Sequence, residues 1–165
     1  MSVGSAKSGS SSYYGCCDCE NVFPDQVTLD MGTSWAAGTE FPICSTAVCQ
    51  LVAGEQVLTS TGCSYPGGMD AWAWTKNFQK TLVSQPCYGQ TWGFGGNIQC
   101  YEPNLLVPIR YYFYFELLYD LNLYTYELDL TSALDCESDT VTLQLSNTPS
   151  ARHCIGWPSE VVLSW

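Results

Sequence analysis

Residues 110–130 constrain the fold more than any other stretch of this chain. Tyr111, Phe113 and Phe115 fall on one face of an extended backbone, with Tyr112 and Tyr114 on the other. After a turn at Asp120-Leu121-Asn122, Tyr124, Tyr126, Leu128 and Leu130 alternate with Thr125, Glu127 and Asp129. A period of two marks half-buried strands and puts the acids on the solvent side. A helix over 113–123 is the competing reading, but so dense a run of Tyr and Phe favours strand.

Shorter segments repeat the signal. Val27-Thr28-Leu29-Asp30-Met31 alternates and stops at Gly32, and residues 49–52 and 56–59 flank Ala53-Gly54-Glu55, a loop suited to a hairpin. Ala71-Trp72-Ala73-Trp74 places two Trp on one face of a strand. Trp92-Gly93-Phe94-Gly95-Gly96-Asn97 reads as a glycine-rich turn leading into the short strand Ile98-Gln99-Cys100-Tyr101. Residues 140–145 and 161–163 complete the set. Roughly eight to ten short strands with no amphipathic helix predict an all-β fold, an antiparallel β-sandwich or barrel-like domain. Residues 1–15, Ser/Gly-rich and ending in Tyr13-Tyr14-Gly15, have linker chemistry and form a flexible N-terminal arm; residues 16–165 form one Cys-rich β-domain.

Ten Cys in 165 residues is heavy usage, and the even number suits complete pairing. Cys16, Cys17, Cys19, Cys44, Cys49, Cys63, Cys87, Cys100, Cys136 and Cys154 are all disulfide candidates that would staple the β-domain. Adjacent Cys16 and Cys17 do not easily bond each other and need different partners; the connectivity stays open. The competing chemistry is zinc at Cys16, Cys19, Cys44 and Cys49, whose spacings admit two knuckles.

With 16 Asp+Glu against 5 Lys+Arg and a net charge of −11, nucleic acid is not a partner to expect. No apolar run is long enough for a membrane span, and the N-terminus lacks the apolar core of a secretory signal. The lone His153 beside Cys154 would point to the opposite face of a strand, which counts against a thiol–imidazole pair. Asp135, Glu137 and Asp139 cluster oxygen ligands in a turn, a weak calcium signal without the glycine of a dedicated loop. Tyr13, Tyr14, Trp72, Trp74, Tyr88 and Trp92 are candidates for an oligomer interface or for stacking on sugar rings. No catalytic residue, cofactor or resident metal is expected.

The stretch Cys16-Cys17-Asp18-Cys19 with Pro24-Asp25-Gln26-Val27-Thr28-Leu29 resembles the start of an uncharacterised Cys-rich β-domain found in hypothetical proteins of planctomycetes, related bacteria and tailed phages. Trp92 with Gly96-Asn97-Ile98-Gln99-Cys100, and Cys154-Ile155-Gly156-Trp157-Pro158-Ser159-Glu160-Val161, resemble its later anchors. Val27 stands where the pattern has Leu, and Trp157 precedes Pro158 instead of following it. The resemblance implies a Cys-stapled β fold and supplies no catalytic residue.

A disulfide-grade chain that begins at Met without a signal fits a protein made in a cytosol and oxidised after release, as a virus-particle protein is. The expected function is therefore a non-enzymatic structural protein of a virion, a bacteriophage capsid decoration or tail-associated subunit. Its expected partners are other virion proteins and its own copies, reached through the arm and aromatic surfaces. The alternative is a secreted or surface-displayed bacterial binding module, for carbohydrate among other ligands, or an extracellular filament subunit. Either function places the protein on a virion surface or outside the cell.

Overall fold

The hairpin that alternation predicts is the centre of the fold: β6 (Arg110–Tyr119) pairs antiparallel with β7 (Asn122–Asp129), bringing Phe115 opposite Tyr126. In the computed structural model the described residues are 16–32, 36–37, 53–65, 72–81, 92–103, 106–119, 122–131, 134–146, 154–155 and 158–165. The other elements are α1 (Cys19–Val22), β1 (Gln26–Asp30), β2 (Ala36–Ala37), β3 (Glu55–Ser64), β4 (Trp72–Thr81), β5 (Trp92–Tyr101), β8 (Thr140–Leu145), β9 (Cys154–Ile155) and β10 (Glu160–Ser164).

Eight strands close into an antiparallel barrel in the order β1-β10-β8-β7-β6-β5-β4-β3, with β3 returning to β1. The all-β expectation holds, and of its two architectures the chain adopts the barrel. Every wall strand runs opposite to both neighbours, so the connections alternate between two ends. The two-residue strands β2 and β9 pair with each other at one end. Closure gives every wall strand a partner on both sides, with the shortest seam between β7 and β8, which meet at Tyr126–Leu145 and Glu127–Gln144.

The barrel is filled with side chains. Tyr111, Phe113, Phe115 and Leu117 are all 0–1% exposed on β6, and Tyr124, Tyr126, Leu143, Val161 and Leu163 face the same core. Asn77, Gln79, Glu127 and Asp129 alternate with these inward positions, so the wall is polar outside and apolar inside, the reverse of a membrane-spanning barrel. Among the described residues no helix is long and apolar enough to cross a membrane.

Two local expectations need correction. The glycine-rich segment is not a turn: Trp92 to Tyr101 is one ten-residue strand, paired along its whole length with β6. Its glycines read as a turn, yet Gly96 is required by packing. It lies opposite both Phe78 and Phe115, whose ring centroids stand 6.1 Å apart, and a Cβ on residue 96 would come within 2.3 Å of the Phe115 ring.

Second, the two Trp of β4 do not share a face. A register shift between them sets Trp72 opposite Tyr101 and Trp74 opposite Cys100, adjacent residues that point opposite ways. Residues 56–59 pair with β1, and the other arm of the expected hairpin, 49–52, lies outside the described residues.

Candidate functional site

One end of the barrel is built differently from the rest. Asp18 caps α1, its carboxylate accepting from the Glu20 N–H at 3.1 Å and from Asn21 Nδ2 at 2.6 Å. This short turn lets residues 16–23 fold across the mouth as a stopper. Phe23 is fully buried, with Trp74, Phe113 and Trp165 ring centroids 5.4, 6.4 and 5.0 Å away.

Polar contacts fix the stopper as well. The indole Nε1 of Trp74 donates to the Cys17 carbonyl at 2.9 Å, and the Cys17 N–H donates to the Tyr111 hydroxyl. Lys76, 2% exposed inside the barrel, donates to the Phe23 carbonyl and pairs with Asp25 at 3.3 Å. A buried ammonium needs such partners, so Lys76 ties the stopper to β4 from within. Burial is the main reason the Tyr111 phenol is pushed up to about 12.

Three disulfides complete the attachment: Cys16–Cys100 to β5, Cys17–Cys136 to the β7–β8 connection and Cys19–Cys63 to β3. Cys63 reaches the stopper because of a bulge. Thr59 lies opposite Gln79 and faces out, so regular alternation would turn residue 63 out too. The register shift between Ser60 and Cys63, with Gly62 at φ 120°, sets Cys63 opposite inward-facing Lys76. A stopper held at three points of the rim is a rigid platform, and such bonds persist in an oxidising environment, as outside the cell.

The outer rim of this end carries apolar surface. Five large apolar residues are exposed among the described ones, and three belong here: Tyr65 at 59%, Leu106 at 94% and Val107 at 44%. The other two, Val57 and Val162, stand on the wall of β3 and β10. Beside the rim, Trp72 packs edge-on against Tyr101 at 5.0 Å, the Arg110 guanidinium lies 4.8 Å over the Tyr101 ring, and Arg110 Nε reaches Asp129 at 3.4 Å.

Of the expected site residues, six Cys are joined in this end. Cys44, Cys49 and Cys87, with Tyr13, Tyr14, Tyr88 and His153, lie outside the described residues, and for Cys154 and Trp92 only the backbone is described. Zinc at Cys16, Cys19, Cys44 and Cys49 is overturned, because the sulfurs of Cys16 and Cys19 are already in disulfides. Calcium at Asp135, Glu137 and Asp139 finds no support in the geometry. The Asp135 carboxylate instead accepts the Glu137 N–H at 3.0 Å, and no metal-sized group of three His, Cys, Asp or Glu forms among the described residues.

Trp74 cannot stack on a ligand, being 3% exposed and bonded to the stopper; Trp72 alone of the pair reaches the surface. Tyr65, Tyr101, Leu106 and Val107 escaped the sequence reading because isolated apolar residues in connections carry no periodic signal.

No family model matches the chain, and neither does any curated protein or solved structure.

Proposed function

We propose that this protein is a non-enzymatic structural subunit that works outside the reducing cytosol and assembles through the stapled end of its barrel. The setting that fits it best is a virus particle, with the protein a bacteriophage capsid decoration or tail-associated subunit. The observation that carries the proposal is the coincidence, at one end, of three disulfides, the described chain's entry at Cys16, and the exposed Tyr65, Leu106 and Val107. Rigid, partly apolar surface is what a subunit contact needs, since little conformational entropy is lost on docking.

Sedimentation velocity and electron microscopy of the purified full chain test the proposal. The expected result is a concentration-dependent oligomer or ordered assembly that a Leu106→Ser/Val107→Ser variant loses while staying folded. A chain that is strictly monomeric at every concentration, and binds no particle or filament, overturns it.

A further inference from the structure

The wall of the barrel carries a groove of about 420 Å³ away from the stapled end, where β4, β5 and β6 run side by side. Its floor is β5, which presents Gly93 and Gly95 outward. Gly95 lies between Gln79 and Glu116, and Asn97 lies between Asn77 and Tyr114.

Gly95 is the decisive residue, because nothing in the fold requires it. A Cβ there would meet no atom within 4 Å, and its backbone is outside the left-handed region. Glycine inside a strand weakens it and serves a bulge, a bend or a close approach by another molecule; the register runs unbroken through Gly95 on both sides, so no bulge accounts for it. The adjacent Gly96 shows the contrast, since a Cβ on residue 96 would stand 2.5 Å from the Tyr114 carbonyl oxygen.

The groove walls carry hydrogen-bonding capacity that no described residue takes up. The side-chain amides of Asn77, Gln79 and Asn97 engage no partner among the described residues. The Tyr114 hydroxyl donates to Glu116 Oε2 at 2.9 Å, which orients the phenol and the carboxylate together. Amides offer paired donors and acceptors, the carboxylate accepts, and a tyrosine ring supplies a flat apolar face.

We infer that this groove binds a neutral carbohydrate, its hydroxyls held by the Asn77, Gln79, Asn97 and Glu116 side chains over the open backbone of Gly95. Two other ligand classes fit poorly. Anions meet a chain of net charge −11, and the one lysine of the groove, Lys80, already donates to Gln56 at 2.7 Å. A peptide adding as a strand finds no edge, because β4, β5 and β6 are each paired on both sides. The groove stays clear of the assembly end, so an assembled particle would present many copies at once and gain avidity from each.

The test is an NMR titration of the full chain with neutral tetrasaccharides of glucose, mannose, xylose and N-acetylglucosamine, and with an anionic galacturonate oligomer. The expected result is that at least one neutral sugar shifts the side-chain amide signals of Asn77, Gln79 and Asn97. Gly95→Val, which fills the floor without touching the core, should weaken that binding at least about tenfold with an unchanged or higher melting temperature. Gln79→Ala should weaken it too. The inference is overturned if no neutral sugar moves these signals at millimolar concentration, if only the galacturonate does, or if Gly95→Val binds as well as the parent.

Discussion

Phe115 occupies the space that a side chain on Gly96 would need: a Cβ there would lie 2.3 Å from the ring, whereas one on Gly95 would touch nothing within 4 Å. Two adjacent glycines of one strand thus answer to different demands. Gly96→Ala should destabilise the barrel by roughly 1–3 kcal/mol through overpacking. Gly95→Ala should be neutral or stabilising by up to about 1 kcal/mol, since it removes unfolded-state freedom. Urea unfolding of the two variants checks both signs, and equal losses would mean that Gly95 also serves the fold.

The same strand shows why the sequence was only partly legible. Phe94, Ile98 and Cys100 keep a period of two with Gly96, yet three glycines in a row of five hid the pattern and suggested a turn. In residues 111–117 and 124–130 Tyr, Phe and Leu recur at every second position, and that density decides for strand over the competing helix. Barrel closure was not legible, because it depends on β1 meeting both β3 and β10, partners far apart in the chain. The bulges that separate Trp72 from Trp74 and turn Cys63 inward leave no mark in an alternation pattern. The groove amides look in sequence like any solvated strand face. They become distinctive only once glycine is seen to lie between them.

Trp74 binds the stopper through one donor. Trp74→Phe keeps most of the apolar contact with Phe23 but leaves the buried Cys17 carbonyl without its 2.9 Å bond. The expected loss is about 1–3 kcal/mol, read by chemical denaturation. A loss within error would show that the indole is only filling space.

Disulfide removal should follow chain entropy. While Cys16–Cys100 is intact, Cys17 is already linked to Cys136 through the roughly 36 residues from Cys100 to Cys136, a path close to the 44 between Cys19 and Cys63. Replacing either pair by alanines should therefore cost about the same, roughly 3–5 kcal/mol. Unfolding of the two double variants in urea compares the losses directly. A much smaller loss for one pair would indicate that packing, more than that link, holds its part of the stopper.

Alkaline pH should loosen the barrel through its tyrosines. Burial raises the Tyr111 phenol to about 12, and the hydrogen bond to Glu127 is the main reason Tyr112 is also raised to about 12, both from 10.0. The neutral phenols are therefore favoured in the folded state. Their stabilisation is complete below pH 10, the unfolded value, and is lost as pH rises toward about 12. Glu127 behaves oppositely: the same bond lowers its pKa from 4.5, so its contribution is present above that pH and disappears as pH falls through the folded value. Ultraviolet titration should show late-ionising tyrosines, with one lost in each of Tyr111→Phe and Tyr112→Phe. Ionisation of every tyrosine near pH 10 would contradict this.

The rigid end on which the proposed assembly rests requires the stopper to be stapled as described, so disulfide mapping is the most direct test of the account. Mass spectrometry of the unreduced, digested protein, with fragmentation that separates the adjacent half-cystines, should find Cys16 joined to Cys100, Cys17 to Cys136 and Cys19 to Cys63. Free thiols at Cys63, Cys100 or Cys136, or bonds among those three, would contradict it.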